Sequence, residues 1–369
     1  MILIDFSSII HRMIHSSVAQ VKPKKDENGT YITSEFVGYT KYLILDELFN
    51  INQTFGPKYG DLVICLDVSA GGYWRKDVYP NYKSNRKKGR DESDINFQEV
   101  FGHVNELIKQ LEEHVPWKVL GVNRAEADDI MLVLAREYNP YELILLHTPD
   151  KDMIQAQRDN ENVHQYSALT RKWIVPENKH ETMDHWILEH VCLGDASDEV
   201  PKVVDHTEFS PAFLKYLKDQ GYNIKDPMEF KSSDLSSDEK RRLLNEFDVY
   251  KLNRKKESTG EKDVYQDIRF GPTTLVKAIE KHGSVDNWLD SHPLYRVHYE
   301  RNFKLVMEEG IPLEISEAIL ESFKTAKTDY NDKAFEEYLN NNNLKQIAMQ
   351  LPNHFKINRD LTADDFGWD

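Results

Sequence analysis

The chain has 369 residues, long enough for one large or two modest domains, and 40% hydrophobic with 11% aromatic residues can supply the cores. The opening MILIDFSSII carries no basic leader and is broken by Asp5, and no apolar run reaches bilayer-spanning length, so neither secretion nor membrane insertion is expected. Cys65 and Cys192 lie in apolar settings and read as reduced thiols of a cytoplasmic protein, and a net charge of −16 argues against a nucleic-acid partner unless basic residues are concentrated somewhere.

In chain order, MILIDF (1–6) predicts a strand, 36–50 a helix, DLVICLDV (61–68) a strand and 95–113 a helix. WKVLGV (117–122) follows as a strand, 126–138 as a helix stopped by Pro140, and ELILLHT (142–148) as a strand. This alternation predicts an α/β fold, a mostly parallel central sheet flanked by helices. A hairpin is expected in NVHQYSALTRKWIV (162–175), then a helix over 180–192. Residues 204–266 turn charged and polar, with one capping box at Ser236 and Glu239. Pro272 suits the first position of a helix and Gly283 its stop, while Gly271 lets the first amides face an anion. Residues 313–350 predict helix broken at NNNN (340–343). The division that follows is an α/β domain over 1–200, a smaller helical domain over 201–350 and a tail over 351–369.

Acids stand where ligands of such sheets bind, beyond the carboxyl ends of the strands. Asp5 closes the first strand, Asp67 the second, Glu126, Asp128 and Asp129 open the helix after the third, and Asp150 and Asp152 follow the fourth. Asp195 and Asp198 come after the next helix, in LGDASDEVPKV. One acid in a first helical turn complements the helix dipole. Three in one turn repel each other unless a cation lies between them.

Positive charge is concentrated at 71–90, GGYWRKDVYPNYKSNRKKGR, where Arg75, Lys76, Lys83, Arg86, Lys87, Lys88 and Arg90 face only Asp77, a local charge of +6. A basic run is usually a solvated face, but the interleaved Tyr73, Trp74, Tyr79 and Tyr82 suit phosphates and stacked bases. Hard divalent cations such as Mg²⁺ prefer carboxylate oxygens plus substrate phosphate, and a pair of them about 4 Å apart supports in-line phosphoryl displacement. The acids therefore predict metal-dependent phosphodiester cleavage, with the basic segment gripping the strand. A glycine-rich phosphate loop, a G-x-S-x-G elbow, C-x-x-C and H-E-x-x-H are all missing from the sequence. A carboxylate-pair glycosidase would leave the basic segment unexplained.

LIDFS, CLDVSAGGYWRKDVYPNYKSNRKKGRDES, EADD, TPDKD and GDASDEVPKV together resemble the ordered acidic blocks and arch segment of the flap endonuclease or 5′-nuclease superfamily, nearest its T-even phage RNase H branch. The resemblance implies an α/β nuclease domain with its arch at 71–93, and a C-terminal helix-three-turn-helix that is divergent and split by an insertion over about 204–266. It implies two Mg²⁺, replaceable by Mn²⁺, held by Asp5, Asp67, Glu126, Asp128, Asp129, Asp150, Asp152, Asp195 and Asp198. Asp67, Asp129, Asp150, Lys83 and Arg86 would be catalytic, the last two acting on the scissile phosphate. Tyr82 would stack on a base, and Arg75, Lys76, Lys87, Lys88, Arg90, Gly271, Thr273 and Thr274 would bind the strand or duplex. The implied substrates are RNA-DNA hybrid, 5′-flap and nicked duplex DNA, cut from the 5′ end by a monomer in the bacterial cytoplasm during lagging-strand maturation. The chain departs from the pattern where VPKV lacks the usual glycine, Glu199 replaces an asparagine and Thr273 a lysine. Leu361, Phe366 and Trp368 in LTADDFGWD resemble the tails that phage replication proteins insert into a sliding clamp, and the composition of the polar 204–266 suits equally a shield over the duplex site and a contact with a single-strand binding protein. The competing reading is a branched-DNA binding protein that keeps the fold without cutting.

Overall fold

The structure is a computed structural model that describes residues 1–84, 86, 93–158, 160–175, 183–204, 211–222, 242–243, 246–247, 270–291, 295–328 and 330–355. The chain forms two compact units. Unit 1 comprises Met1–Trp74, Arg86–Lys179 and Ile311–Asp369, and unit 2 comprises Arg75–Asn85 and His180–Gly310.

Unit 1 is built on six strands, β1 (Ile2–Asp5), β2 (Leu62–Leu66), β3 (Lys118–Gly121), β4 (Ile144–His147), β5 (Val163–Ser167) and β6 (Lys172–Ile174). Their order is β3-β2-β1-β4-β5-β6, parallel except for the β5–β6 hairpin. All four strand expectations and the hairpin therefore hold. Ile2 and Ile4 of β1, Leu62 and Ile64 of β2 and Leu145 of β4 enter one core, as the period-two alternation of a strand requires. Helices α1 (Phe6–Val21), α2 (Val37–Tyr59) and α3 (Phe97–His114) fill it with Ile9, Ile14, Leu45, Leu48, Val104 and Leu107. Helix α4 (Ala127–Tyr138) covers the opposite face against β1, β2 and β4.

Three further helices of unit 1 come from the end of the chain: α5 (Leu313–Thr325), α6 (Asp332–Asn341) and α7 (Lys345–His354). The sequence division placed them with a separate C-terminal domain. Instead Phe335, Leu339, Leu344, Ile347 and Leu351 join the core beside α2 and α3, because each helix has an apolar face that only the sheet unit can cover. The buried ammonium of Lys41 ties this arrangement, donating to Glu106 Oε2 at 2.9 Å and to Asn342 Oδ1 at 3.0 Å.

Unit 2 is helical, with the one-turn α8 (Arg75–Val78), α9 (Met183–Leu193), α10 (Pro211–Asp219), α11 (Pro272–His282), α12 (Val285–Leu289) and α13 (Tyr295–Val306). Tyr79, Tyr82, Ile187, Val191, Leu305 and Val306 form one apolar cluster, and Cys192, Val203, Phe270, Leu275 and Trp288 another. Asn302, fully buried, donates to the carbonyls of Val191 at 2.9 Å and Pro201 at 2.7 Å. Helix α11 begins at Pro272 and is closed by Gly283 at φ 80°, as its sequence signals require. Ser236 and Glu239 lie outside the described residues. Among the described residues no helix is long and apolar enough to cross a membrane.

Candidate functional site

The strand order changes direction between β1 and β4, since β2 and β3 extend to one side of β1 while β4 and β5 extend to the other. A crevice beyond the carboxyl ends of β1 and β4 is where such sheets bind ligands. Register sets the acids there. Ile4 pairs with His147, which puts Asp5 level with Thr148, and Asp5 pairs with Cys65, two residues before Asp67.

A chain of hydrogen bonds holds these carboxylates. Asp5 ends β1 and at the same residue caps α1, accepting the Ser8 N–H at 3.0 Å on Oδ1. Its Oδ2 accepts the Thr148 hydroxyl at 3.0 Å. Thr148 Oγ1 in turn accepts the Asp150 N–H at 3.2 Å, and Asp150 Oδ1 accepts the Asp152 N–H at 2.9 Å. The buried Gln165 on β5 donates to the carbonyls of Thr148 and Asp150, fixing the loop from behind. Asp67 accepts the Ser7 hydroxyl at 2.6 Å on one oxygen and the Ala127 N–H at 2.7 Å on the other. It thereby joins the first turns of α1 and α4, whose positive ends favour negative charge.

The three acids of EADD divide between structure and surface. Glu126 is the N-cap of α4 and Asp129 its third residue, and the two form a capping box. Asp129 is fully buried and its Oδ2 accepts both the Glu126 N–H at 2.9 Å and the Trp74 indole N–H at 3.0 Å. Glu126 is 2% exposed, whereas Asp128 is half-buried. Cys65 reports how closely the others gather: burial first, then the charges of Asp5, Asp128 and Asp67, push its thiol well up from the ordinary value.

Unit 2 carries the remaining acids and residues 75–84 of the basic segment. Asp195 accepts the Ser197 N–H and hydroxyl, both at 2.7 Å. Asp198 Oδ2 accepts the Tyr82 hydroxyl at 2.9 Å and lies 3.2 Å from Lys83 Nζ. Both acids stand on a turn that Gly194 makes possible. With φ at 66°, a Cβ there would lie 2.3 Å from the Val200 carbonyl oxygen.

Several expectations for the basic segment need correction. Arg75 is 4% exposed and donates Nε–H to the Leu305 carbonyl at 2.7 Å, so it anchors α8 to α13 and does not face solvent. Trp74, Tyr79 and Tyr82 are buried, the last at 3% exposure, because residues 79 and 82 pack as core aromatics of unit 2. A base could stack on Tyr82 only after that packing opened. Lys76 and Arg86 are exposed, as are Thr273 and Thr274 at the first turn of α11, with Gly271 as its N-cap. Lys87, Lys88, Arg90, Leu361, Phe366 and Trp368 lie outside the described residues. Sequence reasoning missed the donors Ser7, Thr148 and Gln165. The first two stand two residues from Asp5 and Asp150, and hydroxyls so close to strand-end acids were the available signal.

The profile of the family described as "5′-3′ exonuclease, N-terminal resolvase-like domain" matches residues 1–186, half of the chain, and the chain belongs to that family. Its similarities within and around the family are specific. It is 28% identical over 209 residues to Ribonuclease H of Enterobacteria phage T4, covering 56% of this chain and 64% of that protein. It is 32% identical over 168 residues to the 5′-3′ exonuclease of Buchnera aphidicola subsp. Schizaphis graminum, covering 44% and 54%. The chain thus spans between about half and two thirds of these relatives. Among solved structures, the bacteriophage T5 5′-exonuclease with divalent metal ions (zinc) bound superposes with a TM-score of 0.52 at 12% identity, over 89% of this chain and 99% of that one. At that identity the likeness establishes a shared fold.

Proposed function

We propose that this protein is a divalent-metal-dependent 5′ nuclease, acting as a 5′ to 3′ exonuclease and 5′-flap endonuclease on RNA-DNA hybrid, flap and nicked duplex DNA. The observation that carries this reading is the rim of unit 1, where Asp5, Asp67 and Asp150 stand beyond the ends of β1, β2 and β4 and accept hydroxyl and amide N–H groups, with Asp128 and Asp152 on the adjoining turns. Hydroxyls and amide N–H groups orient a carboxylate without cancelling its charge, which suits it to a hard cation. The all-oxygen donor set suits Mg²⁺, with Mn²⁺ as a substitute, and two ions are expected. When bound, such ions would supply an activated water and neutralise charge on the phosphate.

The chain's own residues do the rest. Asp5, Asp67, Asp150 and Asp152 would hold the cations, with Asp128 and Glu126 beside them, and Asp129 serves by fixing the start of α4 and the Trp74 indole. Lys83 and Arg86 offer positive charge to strand phosphates, where charge developing in the transition state is best met. Free, buried Cys65 and Cys192 suit the reducing cytoplasm of a bacterial host. The names Ribonuclease H and 5′-3′ exonuclease of the T4 and Buchnera relatives support 5′ degradation of RNA paired with DNA, and the setting proposed for it is removal of RNA primers in replication. Clamp binding by 361–369 and contact with a single-strand binding protein belong to the same setting.

A 5′-labelled RNA-DNA hybrid and a 5′-flap DNA, each incubated with Mg²⁺ or with EDTA, test the reading, with Asp150→Asn as control. Cleavage from the 5′ end that needs the metal and vanishes in the variant is expected. Tight binding without cleavage in Mg²⁺ and Mn²⁺ would make the protein a branched-DNA binder instead.

A further inference from the structure

Strand β5 contributes no acid to the rim, yet it carries a polar residue where the core of a sheet calls for an apolar one. Period-two alternation puts Val163, Gln165 and Ser167 on one face, and all three are buried, Gln165 at 1% exposure. A primary amide placed there loses its water and costs free energy unless the protein supplies hydrogen bonds. Gln165 Nε2 donates to the Thr148 carbonyl at 3.2 Å and also to the Asp150 carbonyl. These carbonyls belong to the turn after β4 and flank Pro149, which has no N–H with which to tie the turn itself.

What the amide meets dictates its orientation. Turned over, it would set Oε1 against two carbonyl oxygens, so only the donor can face the turn. Neither contact uses a carboxylate oxygen, so a cation reaching Asp150 or Asp152 does not compete for them. The same turn carries the acids. Asp150 caps the 3₁₀ helix Lys151–Gln157 by accepting the Asp152 N–H at 2.9 Å, and the Asp150 carbonyl that Gln165 holds also accepts the Met153 N–H at 3.3 Å. One side chain from a strand without acids thereby fixes both ends of the Thr148–Asp150 turn, and with it the start of the helix that bears Asp152.

We infer that Gln165 is a positioning residue for the metal rim: through the carbonyls of residues 148 and 150 it sets where the carboxylates of Asp150 and Asp152 stand relative to Asp5 on the central strand. Asp5 is fixed by the pairing of β1 with β2 and β4, whereas Asp150 and Asp152 stand on a turn and depend on what holds it. Mg²⁺ demands near-ideal octahedral geometry at about 2.0–2.1 Å, so a small displacement of one carboxylate matters to it. This inference rests on the nuclease reading for the use to which the rim is put, but not for the hold of Gln165 on the turn.

The test is Mn²⁺ binding to the full-length protein without nucleic acid, read from loss of the free-ion electron paramagnetic resonance signal, in Gln165→Met, Gln165→Asn and Leu48→Ala. Methionine keeps the length of the side chain and removes the donor, whereas asparagine keeps the donor one methylene short. Gln165→Met should weaken binding about tenfold or more, and Gln165→Asn about threefold. Leu48→Ala truncates the core of the same unit and should lower the urea midpoint with Mn²⁺ affinity unchanged. Unchanged affinity in both Gln165 variants would overturn the inference, and so would an equal loss in Leu48→Ala, which would reduce the effect to lost stability. Gln165→Asn carries the test if Gln165→Met does not fold.

Kinetics and hydrogen exchange separate this role from the nuclease reading. On the 5′-flap DNA, Gln165→Met should lower kcat about tenfold and raise the Mg²⁺ concentration for half-maximal rate, with KM for the DNA unchanged. A loss confined to KM would sink the inference. In the metal-free protein, the amides of residues 150–153 should exchange about tenfold faster in Gln165→Met than in the unaltered chain, while those of β1 keep their rates. Unchanged exchange at 150–153 would overturn the inference whatever the protein cuts. Faster exchange in a protein that binds no cation and cuts no substrate would remove the nuclease reading and leave Gln165 as the residue that sets the turn.

Discussion

The rim of unit 1 and the turn of unit 2 are both rich in aspartate, yet Asp5 and Asp67 on the rim and Asp198 on the turn are held in opposite ways. On the rim, Asp5 and Asp67 accept from Ser8, Thr148, Ser7 and Ala127, all uncharged donors. On the turn, Asp198 meets the Lys83 ammonium. Neutral donors orient a carboxylate and leave its charge for something else, whereas an ammonium uses that charge within the protein. Acids that look alike in sequence are thus separated by the charge of what points at them.

The largest expected effect lies on the rim. Asp150→Asn keeps the oxygen that accepts the Asp152 N–H, so thermal and urea midpoints should barely move, while Mg²⁺-dependent cleavage of a 5′-flap DNA should fall by about a thousandfold or more. Retained activity would break the distinction between the two regions.

Strand β4 supplies a pH test of how rigidly the rim is mounted. Burial, with help from the Arg12 guanidinium, lowers His147 from 6.5 to about 4. Below pH 6.5 the unfolded chain takes up this proton while the folded chain does not, so the stability is fully present above pH 6.5 and is lost as pH falls toward 4. Urea unfolding should show about 3 kcal/mol lost across that window, and His147→Gln should flatten the dependence.

Asp129 sharpens the comparison inside unit 1. Asp129→Ala would leave the Glu126 N–H and the Trp74 indole N–H without this acceptor and should cost about 2–3 kcal/mol in urea unfolding, where Asp129→Asn costs less. On the other side, Gly194→Ala forces a Cβ against the Val200 carbonyl and should cost about 2 kcal/mol. Its distinguishing sign is faster acetylation of Lys83, since the turn carrying Asp198 would shift.

The sheet was legible because β1, β2 and β4 are short apolar runs ending in acids, and their parallel order follows from the helices between them. Helix α1 was not anticipated. FSSIIHRMIHSSVAQV follows Asp5 with no connecting loop, and its serines and histidines dilute the apolar face formed by Ile9, Ile10, Met13 and Ile14. Helix α13, with His298 and Asn302 facing inward, hid its core face in the same way. The rim acids could be placed from strand ends alone. The Lys83–Asp198 pair joins residues far apart in the sequence, and the burial of Tyr82 depends on Leu305 and Val306, so neither could be read from the basic segment. Composition made 71–90 look like a binding face throughout, and only packing shows which of its side chains the fold itself consumes.

Asp5 belongs to a strand and a helix at once, and this has a consequence for ion choice. Its backbone is fixed by pairing with Cys65 and by the first turn of α1, so its carboxylate has little freedom left to lose. A cation arriving at the rim would find the spacing already cast in the register of the central strand. A poorly fitting ion would have to be met by movement of the loop acids Asp67, Asp150 and Asp152, because β1 cannot slide without breaking its pairing with β2 and β4. Discrimination by ionic radius would then be a property of strand pairing as much as of the ligands themselves.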